Sequence, residues 1–395
     1  MDPRINPYSP GAGNLPPELT GRDEIIEKVS IQLDRCRNGL PYRSILMVGL
    51  RGVGKTVLLN HLASNAEANG FATISVEVAE KRSLPALLAP ALRSALIKLD
   101  RRIAAGDLAK RALRVLGGFV EKARLKYKDV EIRLADLGSE PGVADSGDLE
   151  NDLTDLFIEL GQAAKEKKTA IVIFIDEIQY IEESQFAALI MAIHKCTQKQ
   201  LPLIVAGAGL PQLIAQAGNA KSYAERLFEY PEIGALPKAA AIDALVKPAS
   251  RLDVDYEDDA LKEILKKTEG YPYFLQEWGK HSWQCANKSP ITLQDVETAT
   301  KLAISELDTS FFRTRFDRLA PSEKKYIRAM AEIGAGPHRS GDIAKLLKKD
   351  VHKVAPVRAK LIAKGMIYSS AHGDNSFTVP LFDGYMNRVM PVFEQ

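Results

Sequence analysis

The eight residues Gly49-Leu50-Arg51-Gly52-Val53-Gly54-Lys55-Thr56 constrain the fold more than any other stretch of the chain. A short apolar run, Ser44-Ile45-Leu46-Met47-Val48, leads into them, and Val57, Leu58, Leu59 and Leu62 follow at helical spacing. Strand, glycine-rich turn and helix make the βα unit of a parallel sheet, and the spacing G-x-x-x-x-G-K-[ST] has a physical meaning in that context. The glycines let the backbone curl so that successive amides converge on a phosphate, and the helix that starts there adds its positive end. Lys55 places a point charge between β- and γ-phosphates, while the Thr56 hydroxyl would ligate Mg²⁺. The expected phosphate-binding set is Gly49, Gly52, Val53, Gly54, Lys55, Thr56 and Val57.

A second run, Ile171-Val172-Ile173-Phe174-Ile175, ends in Asp176-Glu177. An acid pair after an apolar strand often serves only the charge preference of a helix start. Beside a phosphate loop the pair has separate tasks. Asp176 can hold the water shell of Mg²⁺, and Glu177 can polarise an attacking water as general base. ATP hydrolysis is the expected reaction. Gln179 stands where it could help to position that water or could be an ordinary solvated side chain.

Four further strands are expected at Thr73–Val78, Ala170–Ile175, Leu203–Ala206 and Leu227–Ile233, the middle two apolar enough to be central and the outer two nearer an edge. Alternation with helices predicts an α/β, doubly wound parallel-sheet domain over residues 19–235, preceded by a proline-rich extended arm over 1–18. One connection is abnormally long. Residues 79–149 form an insert that reads as two helices, about 84–104 and 107–124, then a hairpin around 125–134 and a Gly/Pro/Ser-rich loop. Residues 236–304 are helical by period, with Trp278 and Trp283 expected in their core. Residues 305–395 read as three helices followed by a β-hairpin, a winged helix.

The two phosphate-site motifs, the order of the domains and the segment Leu19-Thr20-Gly21-Arg22 together resemble the AAA+ ATPases, in the branch that contains origin-recognition initiators, STAND-type signalling ATPases and bacterial AAA ATPase domain proteins. The resemblance implies that Gly21 and Arg22 flank the adenine, that residues 236–304 form a helical lid, and that Pro272 of Gly270-Tyr271-Pro272 packs near the base. It also implies that Arg226, just before the fifth strand, is an arginine finger reaching a neighbour's γ-phosphate in a homo-oligomer. Its ordinary alternative is a salt bridge with Glu225 or Glu229. Two departures stand out. No Asn, Ser or Thr follows the fourth strand in Val205-Ala206-Gly207-Ala208-Gly209-Leu210-Pro211, where a polar sensor is common, and Tyr273 occupies a lid position where initiators often carry arginine.

Charge is distributed unevenly. The whole chain, with 53 Lys and Arg against 51 Asp and Glu, has a formal charge of only +2. Residues 81–128 carry thirteen cations against three acids, and residues 305–395 fifteen against ten, leaving −13 on the remainder. Double-stranded DNA is therefore an expected partner, through Lys348, Lys349, Lys353, Arg358 and Lys360 around the third helix of the C-terminal region and through the insert. The plainer alternatives are solvated helix faces, with Leu88, Leu92, Leu96 and Leu99 packing the insert onto the core. Two functions follow from these features: an ATP-dependent switch that engages DNA, or a signalling or defence regulator in which ATP gates self-assembly and the winged helix binds protein. A processive motor has less support, since nothing after the second strand resembles an aromatic-apolar pore loop. Three scattered cysteines, Cys36, Cys196 and Cys285, suit a reducing compartment, and no apolar signal core or membrane span is visible, so a cytoplasmic location is expected.

Overall fold

The computed structural model describes the whole chain except residues 12, 81, 103–106, 127–137, 370–372 and 394–395. The expected hairpin around 125–134 lies mostly outside the described residues. Five strands, β1 (Ser44–Val48), β2 (Ala72–Glu77), β3 (Ile171–Asp176), β4 (Leu203–Gly209) and β5 (Phe228–Glu229), form one parallel sheet in the order β2-β3-β4-β1-β5. Every residue of β1, β3 and β4 is buried, whereas β2 mixes buried and exposed positions as an edge strand can. Alternate side chains feed two cores. Ile171, Ile173 and Ile175 point into one layer, Val172 and Phe174 into the other. The fifth strand is shorter than its apolar run suggests because Pro231 cannot donate to the ladder; its carbonyl still accepts from Val48 N at 3.0 Å, and Ile233 N returns a bond to Val48 O at 2.7 Å.

Helices α1 (Asp23–Arg37) and α2 (Lys55–Ala68) cover one face. Over the other lie α3 (Leu84–Arg102), α4 (Asp107–Lys126), α5 (Leu149–Glu166) and α6 (Glu183–Gln198), followed by the short α7 (Leu213–Ala220) and α8 (Ala224–Leu227). The insert is thus an extra helical layer on the core. Leu88, Leu92, Leu96 and Leu99 of α3 and Leu116, Phe119 and Val120 of α4 are all buried. Several of its cations are engaged within the chain: Lys98 with Glu67 at 3.7 Å, Arg111 with Glu159 at 3.2 Å and Arg114 with Glu140 at 2.8 Å.

The next four helices, α9 (Lys238–Ser250), α10 (Asp258–Thr268), α11 (Pro272–Cys285) and α12 (Leu293–Leu307), enclose Trp278 and Trp283, each only 1% exposed. The N-terminal arm straps across them. Tyr8 is buried, with its hydroxyl against Leu245 O at 2.5 Å and Tyr256 Oη at 2.7 Å, and Trp283 Nε1 donates to Asp2 O at 2.9 Å. From α12 the helix continues without a break through a π-helical segment, Asp308–Phe312, into α13 (Arg313–Asp317). The C-terminal region then comprises α14 (Pro321–Ile333), β6 (His338–Arg339), α15 (Ser340–Leu346), α16 (Val351–Ala363), β7 (Ile367–Tyr368), β8 (Asp374–Phe377) and α17 (Phe382–Val389). Its strands pair antiparallel in the order β6-β8-β7, one strand more than the expected hairpin. No helix among the described residues is long and apolar enough to cross a membrane.

Candidate functional site

The carboxyl ends of β1, β3 and β4 converge beside the start of α2, the edge at which open α/β sheets bind ligands. A cavity of about 450 Å³ opens there. Its floor is the loop from Arg51 to Val57. Gly52 and Gly54 have φ of +84° and +87°, a region costly for a side chain, and Gly54 caps α2 in that conformation. Gly49 is needed for another reason: a Cβ there would lie 2.1 Å from Ile233 O. Gly49 packs behind the floor and does not line the cavity.

Lys55 is buried at the base. Its Nζ donates to Gly49 O at 3.0 Å and Leu50 O at 2.8 Å. Burial pushes the ammonium down to about 8, although the Glu177 and Asp176 charges pull the other way. Thr56 Oγ1 donates to Asp176 Oδ2 at 2.6 Å, and Glu177 N donates to Asp176 Oδ1 at 2.8 Å. Burial raises the Asp176 carboxyl and these two bonds lower it. Thr56 and Asp176 present adjacent hard oxygens, a donor set that fits Mg²⁺ and would need few further protein ligands.

Glu177 sits at φ +51° and turns its carboxylate into the cavity. Its Oε2 accepts from Gln179 Nε2, while Gln179 Oε1 accepts from Leu210 N at 3.1 Å. Gln179 is only 5% exposed, so it is a buried bridge from Glu177 to the end of β4 rather than a solvated side chain. It brings a polar side chain to the end of β4, which no Asn, Ser or Thr follows directly in sequence. Gly209 permits this, since a Cβ there would meet Gln179 Oε1 at 2.7 Å.

Arg22 caps α1 and is 7% exposed, its Nη2 donating to Val53 O at 3.1 Å and Gly234 O at 2.6 Å. It braces the phosphate loop against the chain beyond β5. Pro272 lines the cavity, whereas Gly21 lies behind the wall, where a Cβ would meet Ala240 Cβ at 2.7 Å. Arg226 is exposed on α8 and does not line this cavity. The alternative local bridge is not formed: among the described residues Arg226 has no ion pair, and Glu229 is engaged by Lys28 at 2.7 Å and Gln32 at 3.0 Å.

Two sets of lining residues have no counterpart in the motifs. The tip of the N-terminal arm, including Pro10, Gly11, Gly13 and Asn14, reaches the cavity, and a Cβ on Gly13 would stand 3.4 Å from Thr56 Cγ2. Arg51 and Arg315 also line it, together with Tyr273 and Phe311. The prolines signalled an extended arm but not its destination. Nothing in the local sequence of Arg315 distinguishes it from a surface arginine.

Of the cations around α16, Lys348, Lys349, Lys353 and Lys360 are exposed. Arg358 is turned inward, against expectation: its Nε donates to Asn375 Oδ1 at 2.5 Å and its Nη2 to Ser369 Oγ at 3.0 Å, tying α16 to the following strands. His372 of the loop between those strands lies outside the described residues.

A phosphate loop, a hydroxyl-carboxylate pair and a cavity-facing glutamate at the carboxyl edge of a parallel sheet define a P-loop ATPase. Residues 18–206 match the family described as AAA ATPase domain, and the chain has the fold of a P-loop ATPase. Residues 309–386 match a domain of unknown function, DUF8462. No curated protein matches the chain. The Walker-type ATPase PABY2304 of Pyrococcus abyssi superposes with a TM-score of 0.60 at 17% identity over 93% of this chain and 96% of that one, a likeness of fold. The Orc1 protein of Aeropyrum pernix, solved in complex with DNA, gives 0.45 at 14% identity over 95% and 94%. The RuvB Holliday junction branch migration motor of Thermotoga maritima gives 0.42 at 15% over 90% and 91%.

Proposed function

We propose that the protein is a cytoplasmic, ATP-driven switch that couples its nucleotide state to double-stranded DNA. In this reading residues 19–235 are the ATPase domain, 236–304 the lid and 305–395 a winged helix whose third helix is α16. Thr56 and Asp176 would hold Mg²⁺, which when bound neutralises charge on the β- and γ-phosphates. Lys55 exchanges its two carbonyl partners for phosphate oxygens, and Glu177, held by Gln179, takes a proton from the attacking water. Arg22, Val53, Val57 and Pro272 shape the far end of the cavity for ADP or ATP.

The observation that supports DNA as partner is the exposed cationic edge of Lys348, Lys349, Lys353 and Lys360, which is separate from the nucleotide cavity and shows no carboxylate partner among the described residues. A face of this kind can neutralise phosphates along a groove. Arg226, exposed and without an ion pair among the described residues, supports a second reading in which it reaches the γ-phosphate of a neighbouring subunit and ATP gates self-assembly. Fluorescence anisotropy of a labelled duplex, with the Glu177→Gln variant in ATP and in ADP, separates the two. The DNA reading requires binding that weakens with salt and differs between nucleotides. Nucleotide-dependent oligomers indifferent to duplex would leave only the assembly reading.

A further inference from the structure

We propose that the C-terminal domain completes the ATP site of its own chain: Arg315, at the head of that domain, and Arg51, in the phosphate loop, form a paired-guanidinium site for the terminal phosphate of ATP. This rests on the ATP reading and adds to it the group that tells ATP from ADP.

Both arginines line the cavity that holds Lys55, Thr56 and Glu177. Among the described residues neither forms an ion pair with a carboxylate, although Glu77 and Glu177 line the same space. Arg51 Nη2 donates to Tyr180 Oη at 2.7 Å, and Arg315 Nη1 to Phe311 O at 2.5 Å. Each guanidinium has five N–H donors, so most of them stay available. Burial, and then the Arg51 charge, push the Arg315 guanidinium down to about 10. Two like charges sharing a partly desolvated cavity are relieved by an anion between them, and a planar fork of donors suits phosphate oxygens.

Arg315 is aimed rather than loose. Its Cζ lies 3.9 Å over the Phe311 ring, Phe311 stacks on Tyr273 at 4.7 Å and 21°, and Tyr273 N donates to Gly52 O at 3.2 Å. A chain of contacts therefore registers the arginine against the phosphate loop itself. Tyr273, at a position where initiators often carry arginine, acts as the seat for an arginine that arrives from another element. The π-helical segment Asp308–Phe312 matters here, because one extra residue in a helix rotates everything beyond it by about 100°. Without it the rod running from the lid would carry Arg315 round to a different face.

The same loop touches the domain a second time. Arg51 N donates to Thr378 O at 3.0 Å. Gly365, at φ +62°, comes so close that a Cβ would meet Arg51 Nη2 at 2.8 Å and Tyr180 Oη at 3.4 Å. A phosphate that draws Arg51 and Arg315 together acts on both contacts, so the position of the C-terminal domain responds to the terminal phosphate.

The test is calorimetric titration of the full chain, with Mg²⁺, by ADP and by a slowly hydrolysed ATP analogue, for wild type, Arg315→Gln and Arg315→Lys. Removing charge-assisted bonds to one phosphate predicts that Arg315→Gln binds the ATP analogue about ten- to a hundredfold more weakly, with ADP affinity kept within about twofold. Arg315→Lys, which keeps the charge without the fork, should fall between. Hydrogen exchange gives the second readout: the ATP analogue should slow exchange of the Arg51 amide in wild type and not in Arg315→Gln. An unchanged ratio of ATP to ADP affinity in the variant, or an equal weakening of both, overturns the inference alone. A wild-type chain that binds neither nucleotide overturns the ATP reading and the inference with it.

Discussion

Replacing Gln179 by leucine removes one amide and leaves the shape of the site nearly intact, so its consequences can be worked from two hydrogen bonds. The first is the bond from Nε2 to the Glu177 carboxylate, of the charged kind worth about 1.5–3 kcal/mol. The second is acceptance from Leu210 N; Leu210 is 1% exposed, and an unpaired buried amide costs about 1–3 kcal/mol. Together the variant should lose about 2.5–6 kcal/mol of stability, on the order of 10 °C in the melting transition of a domain this size. The catalytic effect is separate. If Glu177 is the general base we propose, a group of that kind contributes about 10²–10⁴ to rate, and freeing it from its tether should remove about ten- to a hundredfold of that. Steady-state ATPase assays below the variant's melting point should therefore show kcat down by that factor and KM for ATP within about twofold, because Gln179 does not line the nucleotide cavity. A variant that melts early yet keeps wild-type kcat would show Gln179 to be a structural brace only. A rise in kcat would mean that the tether restrains Glu177 instead of aiming it.

Other consequences are as direct. Burial holds the Lys55 ammonium at about 8 in the nucleotide-free protein, and phosphate must raise it, so ATP binding takes up a proton above that pH; affinity should be flat below pH 8 and fall by about one log unit per pH unit above it, as calorimetry in buffers of different ionisation heat would reveal. Pure screening, with no proton uptake, would contradict the buried-lysine geometry. Arg226→Ala removes an exposed side chain with no ion pair among the described residues and should change stability by no more than about 0.5 kcal/mol, while turnover in concentrated protein drops about 10³-fold if it is a trans finger. Activity per chain that ignores both protein concentration and this change would exclude that role. The pair Lys353→Glu and Lys360→Glu, both on the exposed side of α16, should weaken duplex binding and lower the salt slope by about one for each DNA phosphate that α16 no longer neutralises, with ATPase activity in the absence of DNA unaffected. Arg358→Ala should act through stability instead, since its guanidinium ties α16 to Asn375 and Ser369.

The phosphate loop, Asp176-Glu177 and the parallel strands were legible because each is a local code. Glycines at positive φ, a lysine at a helix start and unbroken apolar strands act over a few residues, and the strand assignments followed from composition: mixed β2 and β5 at the edges, apolar β3 and β4 inside. Leu88, Leu92, Leu96 and Leu99 likewise announced a packed helix through their period alone. What stayed hidden depended on where distant segments meet. Gln179 was balanced between two roles until β4 came alongside and presented the Leu210 amide; Arg358 looked like its lysine neighbours until the following strands folded back onto α16. Arg315 and Lys55 stand at opposite ends of the chain, and no local rule connects them. Only the packing of α11, the π segment and the C-terminal region onto the phosphate loop brings both into one cavity. Sequence by itself determined the local chemistry of the glycine-rich loop and of the acid pair at the end of β3, because that chemistry is written in backbone conformation and contiguous residues. The tertiary structure decided which charges face that chemistry, because desolvation and proximity arise only when separate elements close around the same space.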